Sequence, residues 1–379
     1  MQAYVDEEKL AGLVTLIARR GKVAHFEAFG MQDREAARPM QRDTLFRIYS
    51  MTKPITSVAV LILFERGHFL LHDPITKYIP ELEGLRVIED PAGPLDRTRP
   101  LERAISIRDL LVHTSGFSYD WILPAGPLAD AYGELTPKRR AGDLRSFIRH
   151  LAELPLAYPP ATRWNYGMST DVLGHLVAVV SGVPLDVFLR EQIFEPLGML
   201  DTDFHVPREK IERFAANYAP GPDGGLRLID APAESRFVAR PPSFFEGGGG
   251  LVSTVSDYAR FAQMLLNRGE LEGRRILGPK TVELMTQNHL SEQELQADFL
   301  KTAFSGWGFG LGVSVVTDIA RTQLPGSNGE YGWNGAAGTT FWVDPGEELI
   351  AIQMTQLMPF ARYALPSALR ALVYPALVD

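Results

Sequence analysis

Residues 50–67 read SMTKPITSVAVLILFERG, and the rest of the chain is expected to pack around them. Every residue from Val58 to Phe64 is apolar and Gly67 supplies a stop, which predicts a helix buried over most of its surface. Pro54 has no N–H and is tolerated only near the start of a helix. The helix therefore begins close to Ser50.

Ser50 and Lys53 are three residues apart at the mouth of this helix, so one face of the first turn carries both side chains. The amine can then reach the hydroxyl, and the positive end of the helix dipole favours negative charge on the serine oxygen. We expect Lys53 to be partly buried, and burial to lower its pKa toward that of a useful base. The alternative is a capping serine followed by a solvated lysine.

The 379-residue chain has the composition of an ordinary globular protein, with 45% hydrophobic and 22% charged residues. Its length suits one large domain or two interleaved domains. A formal net charge of −8 and the lack of a basic tract argue against a nucleic-acid partner. The sequence has no cysteine, which excludes a disulfide, a thiolate metal site and a cysteine nucleophile.

The sequence predicts neither a membrane segment nor a secretory signal. Residues 1–10, MQAYVDEEKL, are acidic and lack an apolar core region, so we expect a cytoplasmic location. The longest apolar run, Val58–Phe64, is far shorter than the roughly 18 residues that a membrane helix needs.

Strand patterns lie at both ends of the chain, and helical patterns lie between them. Predicted strands form a hairpin at 12–30 that turns at Arg20-Gly21, and recur at 309–316, 339–345 and 349–355. Predicted helices lie at 106–113, 143–154, 169–181, 184–194 and 256–267, and a last one follows Pro366. The segment 220–242 is loop-like, and we expect it to carry short strands or a surface excursion. We therefore predict a discontinuous sheet domain of residues 1–70 and 241–379, a mainly helical domain of residues 71–240, and an active site in the cleft between them.

Several common site motifs are missing or incomplete. No serine has the two flanking glycines of G-x-S-x-G, and no H-E-x-x-H pattern is present. His68 and His72 lie at a helix exit, so we expect no metal. The run Gly247–Gly250 lacks the ending of a phosphate-binding loop, which favours a tight turn before a helix.

Two further segments are candidates for chemistry. Tyr166 lies in a loop just before a predicted helix, where it is either a packed aromatic or a phenol that can pass protons. Residues 332–338, GWNGAAG, precede a predicted strand. They form either a plain hairpin turn or an edge whose small residues let backbone N–H groups approach a substrate.

Ser50-Met51-Thr52-Lys53, Tyr166 and residues 332–338, in this order, resemble the serine β-lactamase and penicillin-binding superfamily. The flanking text is similar as well: LLVHTSGF at 110–117, FEPLGM at 194–199 and GGGLVST at 248–254. The resemblance covers nearly the whole chain and is closest to class C β-lactamases and family VIII carboxylesterases. It implies an α/β (α+β) fold of the β-lactamase/transpeptidase-like kind, with an antiparallel sheet flanked by helices plus a mainly helical domain.

The resemblance also implies roles for individual residues. Ser50 would be the acylated nucleophile, Lys53 its activating base, and Tyr166 the partner that relays the proton to the leaving group. The backbone N–H groups of Ser50 and Ala336 would form the oxyanion hole. These groups complete a two-step acyl transfer on a small-molecule ester without a cofactor.

Two departures from class C β-lactamases bear on the substrate. Tyr166-Gly167-Met168 stands where those enzymes have Tyr-x-Asn, so an amide that would hold a β-lactam side chain is missing. Trp333-Asn334-Gly335 stands where they have Lys-Thr-Gly, so an aromatic ring replaces the cation that would pair with a substrate carboxylate. We expect Trp333 and Gly335 to contact neutral, apolar acyl or alcohol groups. Further aromatic residues could line this pocket: Phe117, Tyr119, Trp121, Phe244 and Phe245.

The favoured function is a carboxylesterase on short-chain esters. A β-lactamase or D-amino-acid peptidase is the alternative, although the missing lysine of the third motif disfavours anionic substrates. An acyltransferase differs only in the nucleophile that accepts the acyl group. A catalytically silent binding protein on the same scaffold would typically lack the nucleophile or the base, and this chain has both.

Overall fold

The computed structural model describes residues 1–222, 224–239, 242–296 and 305–378. Its largest element is an antiparallel sheet of eight strands, which we number in chain order. The strands are β1 (Gly12–Arg19), β2 (Lys22–Asp33), β3 (Arg38–Pro39), β4 (Trp307–Phe309), β5 (Ser314–Val316), β6 (Tyr331–Asn334), β7 (Thr340–Asp344) and β8 (Leu349–Thr355). Across the sheet they follow the order β4-β5-β6-β7-β8-β1-β2-β3.

The N-terminal hairpin is confirmed, and its first strand joins the two ends of the chain. Arg20 and Gly21 form the tight turn, and both have positive φ angles, 50° and 71°. β1 pairs with β8 from Leu13 opposite Thr355 to Arg19 opposite Leu349. Segments more than 300 positions apart therefore lie side by side at the middle of the sheet.

The single strand predicted at 309–316 is wrong, because β4 and β5 are two strands joined by a turn. Gly312 has a φ of +90°, a conformation that favours glycine. A Cβ at Gly310 would overlap the Met285 carbonyl, and one at Gly312 would overlap the Ser57 side chain. The turn thus packs directly against the helix that carries Ser57.

That helix, Thr52–Glu65, is the central helix of the molecule, as predicted. Every residue from Thr52 to Leu63 is buried, and Gly67 ends the segment with a φ of +75°. It packs against the helix Ser169–Ser181 on one side and shares a hydrophobic core with the sheet on the other. The remaining described α-helices are Gln2–Asp6, Ile107–Leu111, Pro127–Ala141, Leu144–Ala152, Leu185–Leu189, Glu195–Leu197, Arg236–Ala239, Val255–Leu266, Pro279–Met285, Ile319–Thr322 and Leu365–Val373.

The predicted helices are present, with ends that differ by a few residues. The helix predicted at 184–194 is present but changes type along its length. Its first part, Leu185–Leu189, is α-helical, and the following residues, Arg190–Phe194, are π-helical. The segment 220–242, predicted to be loop-like with short strands or a surface excursion, contributes the strand Leu226–Asp230 to a short hairpin with Asn217–Pro220. Residues 223, 240 and 241 of that segment lie outside the described residues, and so does the predicted domain boundary at 240/241. The division into two domains stays a prediction.

Among the described residues, no single helix has the length and apolar composition needed to cross a membrane. The helical segments Ser169–Ser181 and Leu185–Leu197 meet that requirement only as a pair, and they are bent by 82° at the break between them.

Candidate active site

Ser50 lies in a 3-10 turn, Tyr49–Met51, that leads into the central helix. Tyr49 has a positive φ of 43°, and the hydroxyl of Tyr258 donates to the Met51 carbonyl at 2.8 Å. The turn is therefore fixed from behind by a buried tyrosine. Ser50 itself is half-buried, so its hydroxyl lies at the boundary between the core and solvent.

The Lys53 side chain is buried and donates to three oxygens. Its Nζ lies 3.1 Å from Ser50 Oγ, 3.2 Å from the Tyr119 hydroxyl and 2.6 Å from the Gly248 carbonyl oxygen. An ammonium group has three N–H donors, and these three acceptors match them. Nζ also lies 4.7 Å from the centre of the Tyr166 ring. The predicted contact between Lys53 and Ser50 is present, while the solvated lysine of the alternative is not.

The expected fall in the pKa of Lys53 is wrong in direction. Burial does act to lower the pKa of the ammonium, but the phenols of Tyr119 and Tyr166 and the Asp171 carboxylate outweigh it. The pKa of Lys53 is therefore raised above its ordinary value. At neutral pH the side chain is a cation that donates hydrogen bonds, rather than a neutral amine that accepts a proton.

Tyr166 lies in an aromatic cluster next to Lys53. Its ring stacks on Trp164 with a centroid distance of 5.8 Å and contacts His113 at 4.8 Å and Trp333 at 5.5 Å. The Trp333 indole N–H donates to the Tyr166 hydroxyl at 3.4 Å. The structure thus brings the second and third sequence motifs into direct contact, 167 positions apart in the chain.

The turn between β6 and β7 approaches the Ser50 turn at Gly335. A Cβ on Gly335 would lie closer than 3.0 Å to both the Thr339 hydroxyl and the Ile48 carbonyl oxygen, so only glycine fits. The Gly335 N–H donates to the Thr339 carbonyl at 2.8 Å. The oxyanion-hole role of the Ser50 and Ala336 N–H groups stays a prediction.

The aromatic residues predicted to line the pocket fall into two groups. Tyr119 and Trp121 lie beside the site, stacked on each other at 5.5 Å, and Trp121 contacts the Tyr166 ring edge-on at 6.0 Å while 64% exposed. In contrast, Phe117 is fully buried in the core. Phe244 packs on Phe147 and Phe245 packs on Phe204, which makes them part of the core packing.

The residues that flank position 168, where class C β-lactamases have the asparagine of Tyr-x-Asn, pack against or bond to neighbouring segments of this protein. Met168 and Ser169 are buried, and the Ser169 hydroxyl bonds to Ser115 Oγ at 2.8 Å. Asn165 donates from its side-chain amide to the Phe117 carbonyl at 2.8 Å. None of these groups replaces the amide that is missing at position 168.

Sequence reasoning missed three residues that meet the site. The sequence predicts Tyr119 only as a lining aromatic, yet its hydroxyl accepts from Lys53. Gly248 forms the predicted tight turn, and its carbonyl also accepts from Lys53. Asp171, on the helix Ser169–Ser181, accepts from the Gly248 N–H at 3.0 Å. The signal for Gly248 was the four-glycine run itself, since such a run often marks a close backbone approach.

Among the described residues, no group of three or more histidine, aspartate or glutamate side chains is placed to hold a metal ion. Buried His113 lies behind Tyr166 instead, enclosed by Trp164 and Phe309 as well. Burial, with the Lys53 charge adding to it, holds the pKa of His113 well below its ordinary value. The imidazole is therefore neutral.

An antiparallel sheet flanked by helices, with a serine in the turn just before a buried central helix and a lysine on the first turn of that helix, defines a β-lactamase/transpeptidase-like fold. The chain belongs to the β-lactamase family, because the family model described as Beta-lactamase matches residues 1–374. It is a serine hydrolase of that family. The predicted fold class and the resemblance to this superfamily are confirmed.

Two curated relatives and one solved structure show how far the similarity extends. Protein Rv1367c of Mycobacterium tuberculosis (strain ATCC 25618 / H37Rv) is 41% identical over 360 residues, which cover 93% of this chain and 88% of that protein. Esterase EstB of Burkholderia gladioli is 34% identical over 365 residues, which cover 92% and 86%. The solved structure of EstCE1, described as a hydrolase with promiscuous acyltransferase activity, is 28% identical with a TM-score of 0.84, covering 98% of this chain and 96% of that one.

Proposed function

We propose that this protein is a carboxylesterase that hydrolyses short-chain, neutral esters through an acyl-enzyme on Ser50. The observation that carries the proposal is the contact between Lys53 and Ser50, 3.1 Å apart, beside Tyr166, whose hydroxyl accepts from the Trp333 indole. The relative named as an esterase, EstB, supports the same reaction class.

In the proposed first step, Ser50 Oγ attacks the ester carbonyl while Tyr166 relays a proton: the phenol oxygen takes the proton of Ser50 as its own proton moves to the leaving-group oxygen. Because Lys53 is cationic, it donates to the reacting oxygens and stabilises their charge instead of taking the proton. The Tyr166 hydroxyl passes a proton to the leaving alkoxide, so the alcohol departs neutral. The oxygen of the tetrahedral intermediate is held by the N–H groups of Ser50 and Ala336.

In the second step, water attacks the acyl-enzyme along the path that the alcohol has left. Its proton returns through Tyr166 to Ser50 Oγ as the carboxylic acid is released. Electrons and protons balance over the two steps, and the net reaction is ester plus water giving acid plus alcohol.

The walls of the site favour neutral substrates. Trp333 contacts the Tyr166 ring and is 8% exposed. It therefore supplies an apolar ring at the position where a lysine would offer a cation. The exposed indole of Trp121 extends this aromatic surface toward solvent. Because an indole stands where a lysine would pair with a substrate carboxylate, an anionic substrate loses that ion pair.

The test is a comparison of p-nitrophenyl esters of increasing acyl length with a chromogenic cephalosporin, using wild type and Ser50→Ala. We expect rapid, Ser50-dependent turnover of short esters and little turnover of the cephalosporin. Equal ester turnover by Ser50→Ala would refute the nucleophile. A dominant cephalosporin turnover would place the β-lactamase function first.

Acyl transfer is the second candidate, and the description of EstCE1 as a hydrolase with promiscuous acyltransferase activity favours testing it. An added alcohol competes with water for the same acyl-enzyme. Product analysis with a short alcohol distinguishes the two reactions, because transfer gives a new ester and hydrolysis gives the acid. Formation of acid alone at high alcohol concentration would exclude transfer.

A further inference from the structure

Lys53 is a buried cation, and the helix Ser169–Ser181 places a buried carboxylate close to it. Asp171 is fully buried and Lys53 is 1% exposed. The two side chains are linked through one residue, Gly248, whose N–H donates to Asp171 Oδ1 at 3.0 Å and whose carbonyl accepts from Lys53 Nζ at 2.6 Å. Both backbone groups of a single glycine therefore connect the two charges.

The turn that contains Gly248 fits only because its residues are glycines. A Cβ on Gly248 would lie 2.9 Å from Asp171 Oδ2 and 3.2 Å from Oδ1. A Cβ on Gly247 would lie 2.7 Å from the Thr170 carbonyl oxygen. The Thr56 hydroxyl fixes the turn from the other side by donating to the Gly247 carbonyl at 2.8 Å. The turn is held between the central helix and the helix of Asp171, with no space for a side chain.

We infer that Asp171 is a positioning residue, which acts through Gly248 to hold Lys53 in the cationic, Ser50-directed state in which the enzyme works. The inference rests on the proposed function, because it assigns a role within that site. Asp171 reaches the site through the Gly248 N–H. Its contribution is a buried negative charge and the orientation of the carbonyl that accepts from Lys53.

The other titratable groups around Lys53 come from separate segments. Tyr119 follows the His113 segment, Tyr166 precedes the helix of Asp171, and His113 lies behind Tyr166 as a neutral imidazole. Asp171 thus contributes a carboxylate to the groups that raise the pKa of Lys53, alongside the phenols of Tyr119 and Tyr166. Removing its charge takes away one of the groups that keep the ammonium protonated.

The test is the rate at which a fluorophosphonate labels Ser50 in wild type and in Asp171→Asn, measured from about pH 7 upward through the alkaline pH at which wild-type labelling falls. The asparagine keeps the shape and an oxygen that can accept from Gly248 but lacks the charge. We call the fall in labelling rate at alkaline pH the alkaline limb. We expect this limb to lie about one pH unit or more lower in Asp171→Asn than in wild type. At a fixed pH on the limb, the variant should then be labelled about tenfold more slowly. Labelling does not require a known ester, so it reports on Ser50 independently of substrate choice.

Asp257→Asn is the matched control. Asp257 is also a buried carboxylate at the third position of its helix, Val255–Leu266, but it bonds to Thr202 and to the Asp201 N–H, away from the site. Its loss removes a buried charge of the same kind without touching Lys53. We expect its pH limb to match that of wild type.

Several outcomes would overturn the inference. If the alkaline limb of Asp171→Asn lies at the same pH as that of wild type, Asp171 is only a packing residue, whether or not the labelling rate is lower. Faster labelling at neutral pH would show that neutral Lys53 is the working form. If Asp171→Asn does not fold, Gly248→Ala, which keeps the charge but displaces it, must shift the limb in the same direction, and an unchanged limb there would also refute the role. Absence of labelling at Ser50 in wild type would instead reject the proposed function itself, and this inference with it.

Discussion

Replacement of Gly335 by alanine tests the predicted oxyanion hole most directly. The added methyl would lie closer than 3.0 Å to the Thr339 hydroxyl and the Ile48 carbonyl oxygen, whereas ordinary contacts begin at 3.4 Å. The Ile48 carbonyl belongs to the backbone that leads into the Ser50 turn, so the clash cannot be relieved by rotating a side chain. We expect the turn that carries Ala336 to move away from Ser50 by about 1 Å.

Such a shift is large for a catalytic hydrogen bond. Oxyanion donors act at distances of about 2.7–3.1 Å, and the loss of one donor costs about 10²- to 10³-fold in kcat, or about 2.7–4 kcal/mol. We expect a fall of that size in kcat for p-nitrophenyl esters, with a smaller change in KM because the donors act on the transition state. Circular dichroism and the melting temperature establish that the variant is folded.

Gly133→Ala provides the matched control for this substitution. Gly133 lies in the helix Pro127–Ala141, and its added Cβ would make an ordinary contact of 3.8 Å with Asp120. Alanine is favoured over glycine inside a helix by about 0.5–1 kcal/mol, so this variant should be at least as stable as wild type and equally active. A folded Gly335→Ala enzyme with kcat close to wild type would refute the assignment of Ala336 to the oxyanion hole.

Three further predictions concern residues around the site. Trp333→Lys should raise cephalosporin turnover relative to neutral-ester turnover by about tenfold or more, because it restores a cation for a substrate carboxylate; an unchanged ratio, with Trp333→Phe as the uncharged control, would contradict the role given to the indole. Tyr119→Phe should lower kcat/KM by about 10- to 100-fold, the effect of one hydrogen bond to a charged group, since it removes an acceptor from Lys53; a loss below about twofold would show that the hydroxyl is dispensable. His113→Phe should make stability less sensitive to acid. The folded-state pKa of His113 lies below its unfolded value, so wild type loses up to about 1.4 kcal/mol per pH unit from this group as pH falls below about 6.5. Urea denaturation at several pH values measures both slopes, and equal slopes would contradict the burial argument.

The parts of the site that could be predicted from sequence are those set by local spacing. The helix around Lys53 follows from an apolar run with a proline near its start, and the face shared by Ser50 and Lys53 follows from their separation of three residues. The hairpin turn at Arg20-Gly21 follows from a strand pattern on each side of a glycine. Each of these depends on neighbours within a few positions, where the backbone geometry leaves few choices.

The charge state of Lys53 could not be predicted in this way. Sequence reasoning included its burial, which lowers the pKa, but not the phenols and the carboxylate that raise it. Those groups lie far along the chain: Tyr119 is 66 positions from Lys53, and Gly248, which links it to Asp171, is 195 positions away. Their convergence depends on how the helices pack, which a local pattern does not specify.

The sequence by itself predicted the pair of Ser50 and Lys53 and determined the motif order and the family that these indicate. The tertiary structure alone decided which groups surround Lys53, how closely Gly335 approaches Ile48, and that Trp333 bonds to Tyr166. The physical reason is the range of the interactions. Helix periodicity and turn geometry act over a few residues, whereas the electrostatics and steric limits of a buried site are set by every segment that packs around it.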